Sequence, residues 1–176
     1  MDRQPTLSDE LVLLRPLKAQ DFNPLFAVAA DPLIWEQHPS SDRFQREVFS
    51  KFFRESMDSG GALAIIDQSS KKIIGSTRFQ VVENRPTAIE IGWTFLAREY
   101  WGGTYNAAIK KLMIDYAFQA IDDVIFYIGK TNLRSQKAAE KIGAIKLHNS
   151  IAQPFQKDSD KNYTYRIRKR NWKRKY

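Results

Sequence analysis

The apolar positions along the chain change period several times, and each change marks an element. Glu10 to Leu17 reads as a strand ending at Arg15-Pro16. Asp21 can cap a short helix over Phe22, Leu25, Phe26 and Ala29. Asp31-Pro32 stops it, because the residue before a proline avoids helical dihedrals. From Asp42 to Met57, Phe44, Val48, Phe52 and Phe53 recur at helical spacing, and Gly60-Gly61 ends that helix. The pattern then shortens. Ala62 to Asp67 is an apolar run, Ser69 to Lys72 a turn, and Ile73 to Val82 is rich in β-formers. Asn84-Arg85-Pro86 turns the chain into a third strand, Thr87 to Leu96.

Tyr105 to Ala120 is the clearest helix, with Tyr105, Ala108, Ile109, Leu112, Met113, Tyr116 and Ala117 spaced by three and four. Val124 to Ile128 is wholly apolar and predicts a strand buried on both faces. Asn132 to Ile142 reads as a helix capped by Asn132 and closed by Gly143. Ala144 to Leu147 and Asn162 to Arg168 supply two last strands. The order is β-α-α-β-β-β-α-β-α-β-β, an α/β fold with one mixed sheet and helices packed on it. The unit from Thr87 to Ile128 should cross over right-handedly, making its two strands parallel.

Composition narrows the chemistry. The 176 residues fit one domain, spanning 1–176. No apolar run approaches the roughly 20 residues that cross a bilayer, so no membrane partner is expected. Met1 to Glu10 lacks the apolar stretch of a secretory leader, and a cytoplasmic location is expected. Cysteine is absent, which removes disulfides, thiolate metal ligands and a cysteine nucleophile. The net charge is +8, but Arg166 to Tyr176 holds seven basic residues and no acid, so the rest is nearly neutral. That basic tail either offers nucleic acid a patch or is a final strand followed by a solvated end. His38 and His148 are far apart and lack carboxylate spacing, so no metal site is expected.

Two stretches can carry chemistry. In Ala97-Arg98-Glu99-Tyr100-Trp101-Gly102-Gly103-Thr104, adjacent glycines precede a helix. Glycines let the backbone approach a ligand, and the free N–H groups and dipole of a helix start favour an anion such as a pyrophosphate. A tight turn is the plainer reading. Arg98 could add charge there or simply be solvated. The second stretch, Asn132 to Ala144, is by itself an amphipathic helix with good caps.

Together, and in this element order, these stretches resemble the GNAT superfamily of N-acetyltransferases, closest to its RimJ/RimL-type branch. LVLLRPLKAQDF (Leu11 to Phe22) looks like the branch's first strand and turn. IEIGWTFLAREYWGGTYN (Ile89 to Asn106) looks like its cofactor strand and phosphate loop. NLRSQKAAEKIGA (Asn132 to Ala144) looks like its second cofactor motif. The resemblance implies a GNAT-like acyl-CoA N-acyltransferase fold, acetyl-CoA as cofactor and an amine acceptor, either a small molecule or a protein N-terminus. It implies main-chain contacts from Trp93, Phe95 and Leu96 to the pantetheine arm. Gly102, Gly103, Thr104, Tyr105 and Asn106 would form the phosphate cradle, with Arg98 beside it. The family loop usually carries Arg or Gln where Glu99 stands, and Gly or Ala where Thr104 stands. Asn132 matches a cofactor-contacting asparagine. Ser135 matches a position proposed to protonate the departing thiolate, against a plain first-turn role.

The implied reaction is direct attack by a neutral amine on the thioester, with no covalent enzyme intermediate. At pH 7 an α-amine of pKa near 8 is about 10% neutral, whereas lysine is below about 0.1%. A lysine acceptor therefore needs roughly 3 kcal/mol more help from a base or desolvation. Glu90, on the strand beside the acyl site, is the best carboxylate for that base, with a structural strand residue as its alternative. Trp35, Glu36 and His38 fall in the branch's variable substrate-side region and could line the amine pocket. Trp93 and Trp101 read as packing or cofactor-wall residues. Monomer and homodimer both remain open. A nucleic-acid or ribosome-binding module on an inactive fold of this kind is the second reading, motivated by the basic tail.

Overall fold

The β-forming runs assemble into a single eight-stranded sheet. The computed structural model describes residues 1–148, 152, 155 and 157–172. The strands are β1 (Leu7–Ser8), β2 (Val12–Pro16), β3 (Ala62–Asp67), β4 (Ile73–Val81), β5 (Ala88–Leu96), β6 (Asp123–Gly129), β7 (Ile145–Lys146) and β8 (Asn162–Arg168). Their spatial order is β1-β2-β3-β4-β5-β6-β8-β7. All pairs are antiparallel except β5–β6, the parallel pair made by the crossover through helix α3 (Tyr105–Ala117). The other helices are α1 (Phe22–Ala29), α2 (Arg46–Asp58), α4 (Leu133–Lys141) and the short α5 (Lys169–Trp172). The expected α/β order is therefore present, with β1 and α5 added.

The sheet is covered on both sides, which explains why β3 is buried at every position. Its alternate residues Ala62 and Ala64 join an aromatic layer in which Phe49 and Phe52 of α2 meet Phe95 of β5. Leu63 and Ile65 face the opposite layer, where α3 contributes Ile109, Met113 and Ile114.

Three local expectations change. The stripe of α2 is Phe49, Phe52, Phe53 and Ser56, because the helix starts only at Arg46 and leaves Phe44 outside it. The buried face of α3 is Ile109, Lys110, Met113, Ile114 and Ala117, which rotates the stripe toward Lys110. Asp21 does not cap α1 with its side chain. It instead accepts from Arg15 Nη1 and Nη2 at 2.7 and 2.8 Å and from the Lys18 amide at 2.8 Å.

The basic tail also departs from a solvated end. After β8, α5 buries Trp172 near Phe118, ring centroids 6.4 Å apart, and its indole N–H donates to Asp115 at 2.6 Å. The part of the tail from residue 173 to 176 lies outside the described residues.

Gly75 lets β4 and β5 close. A Cβ there would stand 2.0 Å from the Phe95 carbonyl oxygen and 3.1 Å from Leu96 Cα. Gly75→Ala is expected to cost about 3 kcal/mol, the upper end of overpacking penalties, in urea unfolding. A loss under about 0.5 kcal/mol, the usual scale of a harmless surface change, would mean the strands yield freely.

Candidate active site

The parallel pairing of β5 with β6 is brief. It covers only Ala88 with Asp123, Ile89 with Val124 and Glu90 with Ile125. Beyond that point each strand follows its other neighbour. Strand β6 stays paired with β8 as far as Gly129 and Asn162, while β5 stays with β4 as far as Leu96 and Gly75. A bulge in β5 accompanies the divergence. Ser76 faces Phe95 but Arg78 faces Gly92, so Trp93 and Thr94 together oppose Thr77. Trp93 takes a φ of 51°, a left-handed conformation rare for a bulky residue. Such an extra residue bends its strand and interrupts the ladder. The result is a wedge whose β5 wall, from Ile91 to Leu96, has no strand beside it on the β6 side.

Two adjoining clefts occupy this region, with volumes of about 420 and 330 Å³. Both are lined by Trp35, His38, Thr94, Asn106, Asn132 and Ser135. The smaller opens at Gly102 and Gly103; the larger contains Glu90, Trp93 and Tyr127.

The smaller cleft meets the start of α3. Gly102 has a φ of +71°, which favours glycine, and a Cβ at Gly102 or Gly103 would meet no atom within 4 Å. Thr104 is the N-cap residue but makes no side-chain cap, leaving the first-turn N–H groups uncapped by a side chain. Arg134, Lys137 and Lys141 also line this cleft. The Arg134 guanidinium stacks 4.0 Å from the Trp101 ring centroid and donates to the Ile34 carbonyl at 2.8 Å. Open backbone, an uncapped helix start and three cations make a fitting cradle for a diphosphate.

Several sequence-predicted residues sit differently from expectation. Tyr105 packs its ring 4.7 Å from that of Tyr100 and turns its hydroxyl to Asp67, donating at 2.9 Å. Arg98 is bound to Asp31 in an ion pair and does not line either cleft. The Phe95 carbonyl crowds Gly75 on β4, which turns it away from the wedge, while its ring packs 5.0 Å from Trp35. The Leu96 carbonyl accepts the Trp101 indole N–H at 3.0 Å. Glu36 is exposed and lies outside both clefts, whereas Trp35 is buried with its indole N–H donating to the Ala29 carbonyl at 2.7 Å.

In the larger cleft Glu90 is only 5% exposed. Burial raises its pKa, and Lys157 and Arg78 pull it partly back. Lys157 Nζ donates to Glu90 Oε2 at 3.1 Å and lies over the Trp93 ring. Tyr127 is pushed up to about 12 by burial and by Glu90, so it keeps its proton. His38 accepts the Ser40 amide N–H on Nδ1 at 2.9 Å, and Arg43 stands 3.2 Å from its Nε2. Burial, then Arg43, lowers its pKa to about 4, which keeps the ring neutral and makes it a weak base.

Asn132 caps α4 by accepting the Ser135 amide N–H on Oδ1 at 3.1 Å. Its Nδ2 donates to no protein group among the described residues, and neither does the Ser135 hydroxyl.

Arg43, Lys110, Tyr127 and Lys157 are cleft residues that the sequence did not mark. Lys110 is 7% exposed and its Nζ donates to Thr94 Oγ1 at 2.6 Å. No carboxylate pairs with it among the described residues, and burial lowers its pKa to about 7. The available signal was Ile114, one helical turn further along the same face.

Residues 12–145 match the family model described as the acetyltransferase (GNAT) domain. The chain belongs to the GNAT acetyltransferase family. It is 27% identical over 159 residues to a Bacillus licheniformis protein described as an uncharacterized N-acetyltransferase, p20, covering 87% of this chain and 83% of that one. Among solved structures it resembles a GNAT-family acetyltransferase from Bacillus anthracis, with a TM-score of 0.75, 18% identity, and 94% and 99% of the two chains covered. It also resembles a provisionally named ribosomal-protein-serine acetyltransferase from Vibrio cholerae, with a TM-score of 0.71, 12% identity, and 96% and 99% covered. These two likenesses concern the fold.

A buried, unpaired Lys110 costs stability while protonated. Its folded pKa lies below the unfolded value, so between pH 7 and 10 the unfolded chain holds a proton that the folded chain has released. Stability from this group therefore rises with pH across that window. Lys110→Met should stabilise the protein at pH 7 by on the order of 2 kcal/mol and remove that rise. Urea melts at pH 7 and pH 9 measure both; a destabilised variant with an unchanged slope would contradict the assignment.

Proposed function

We propose that this acetyltransferase is an acetyl-CoA-dependent N-acetyltransferase of the RimJ/RimL-type branch, working in the cytoplasm on a primary amine of a small molecule or a protein N-terminus. The observation that carries this reading is the unpaired edge of β5 leading to the start of α3, which no side chain caps. Bound acetyl-CoA supplies an activated acyl thioester. Main-chain groups of Trp93 and Leu96 hold its arm, and Gly102, Gly103, Thr104, Tyr105 and Asn106 present N–H groups to its phosphates. The Asn132 amide, with a free Nδ2, contacts the arm. Lys137 and Lys141 add positive charge at the same mouth.

Glu90 accepts the proton of the attacking amine, directly or through water, in place of its contact with Lys157. The new bond joins the amine nitrogen to the acyl carbon, and the carbon–sulfur bond breaks. Ser135 would hand a proton to the departing sulfur and take one back from solvent, while the amine proton stays on Glu90 until it too is lost to solvent. Unpaired N–H groups of the β5 wall stabilise charge developing on the carbonyl oxygen. Arg98 and Glu36 have no part in these steps.

Saturable acetyl-CoA binding and thiol release with an amine test the reading. Gly102→Glu places bulk and negative charge at the phosphates and should weaken acetyl-CoA binding at least about tenfold, the effect of some 1.4 kcal/mol, by calorimetry. Gly102→Ala controls for backbone strain. Equal affinity in a folded Gly102→Glu variant would put the phosphates elsewhere.

The base assignment makes a pH prediction. The Lys157 ammonium lowers the pKa of Glu90, so Lys157→Ala should raise it further. The acid limb of the kcat/KM profile is expected to move to higher pH. A limb that stays in place, or moves down, would remove Glu90 as the titrating base.

A further inference from the structure

The larger cleft is lined by Arg43, Lys110, Lys157 and Lys161 against Glu90 and Asp158, more positive than negative charge. Lys157 is matched by Glu90. Arg43 is not matched. Its guanidinium lies 4.4 Å from the Phe52 ring centroid and 5.5 Å from that of Trp35, and its polar contact is His38. No carboxylate forms an ion pair with it among the described residues. Behind Trp93, Arg78 is 6% exposed, stacks 4.3 Å from the Trp93 centroid and donates to Ser56 Oγ at 2.6 Å. Its Nε is buried with no hydrogen-bond partner.

Arg43 and Arg78 repel each other; Glu55 attracts both through space, as do Asp42 for Arg43 and Glu90 for Arg78, and none of these carboxylates forms an ion pair with either guanidinium among the described residues. The cleft-lining histidine is neutral and gives no compensation. Desolvated guanidinium groups are costly unless an anion satisfies them, and their fork geometry matches a carboxylate or phosphate.

We infer that the acceptor is an amine that also bears an acid group, a carboxylate or a phosphate, which Arg43 binds while the amine lies at Glu90. The inference rests on the N-acetyltransferase reading. The charge of Arg78, behind Trp93, acts on both Arg43 and Glu90. The aromatic faces of Trp93 and Tyr127 line the space and suit an apolar or planar body joining the two groups. A polycation such as a polyamine or an aminoglycoside brings like charge to Arg43 and lacks the acid group that would offset it.

The test compares matched acceptors by thiol release. One arm pairs amino acids with their amides, a second pairs amino-sugar phosphates with the free amino sugars, and a third uses spermidine. In one of the first two arms the acid-bearing member should exceed its neutral partner at least tenfold in kcat/KM, and that arm identifies carboxylate or phosphate. Spermidine should be the poorest acceptor. Arg43→Met should collapse the ratio toward one without changing acetyl-CoA affinity, and Arg43→Lys should restore part of it. Equal turnover of acid and neutral partners, or a preference for spermidine, overturns the inference while leaving the enzyme reading intact. So does an Arg43→Met variant that slows every acceptor equally, the mark of a structural role. Absence of both acetyl-CoA binding and thiol release overturns the enzyme reading and this inference with it.

Discussion

The structure turns on a disagreement between two strands. Each of β5 and β6 has a neighbour that it follows for almost its whole length, and they pair with each other for only three residues. The bulge at Trp93 and Thr94 accompanies this separation, and the pairing of β6 with β8 sustains it on the other side. An ordinary sheet would spend the main-chain groups of Ile91 to Leu96 on a neighbouring strand. Here that wall is left to an incoming ligand, at the point where α3 presents a helix start without a side-chain cap.

The wedge also places charge where folding alone would not. Lys110 lies on the sheet-facing side of α3 and reaches Thr94, a residue of the bulge. Glu90 stands at the last paired position before the strands part. Arg78 and Lys157 lie on the ring of Trp93, the residue in the left-handed conformation. Each feature is unfavourable by ordinary folding criteria, and all gather around one bulge. Strain and buried charge concentrate in this way where a structure reserves room for chemistry.

Much of the architecture was legible because strongly periodic segments decide their own state. Strand β8 spans the expected residues, and β3, α4 and its Asn132 cap fall within a residue or so of expectation. The wedge was not legible from periodicity, since both of its walls read as continuous strands. Only the resemblance pointed to them. What escaped altogether were polar side chains buried by tertiary context. Lys110 falls outside the apolar stripe read for α3, whose buried face also includes Ile114, and Lys157 sits in a turn-rich region with no motif. Arg98 misled for the opposite reason: its sequence neighbours suit a phosphate, but Asp31, 67 residues away, claims it.

The placement of β8 between β6 and β7 has a consequence for how the molecule comes into being. A chain growing from its first residue contains both cleft-lining helices, α3 and α4, before it contains the strand that holds β6 open. Until Asn162 to Arg168 arrive, β6 has a ladder of three residues on one edge and nothing on the other. A nascent intermediate therefore exposes an apolar strand edge just as most of its core is available to form, the circumstance in which chains associate with one another. The arrival of β8 closes that edge and completes the ladder of β6.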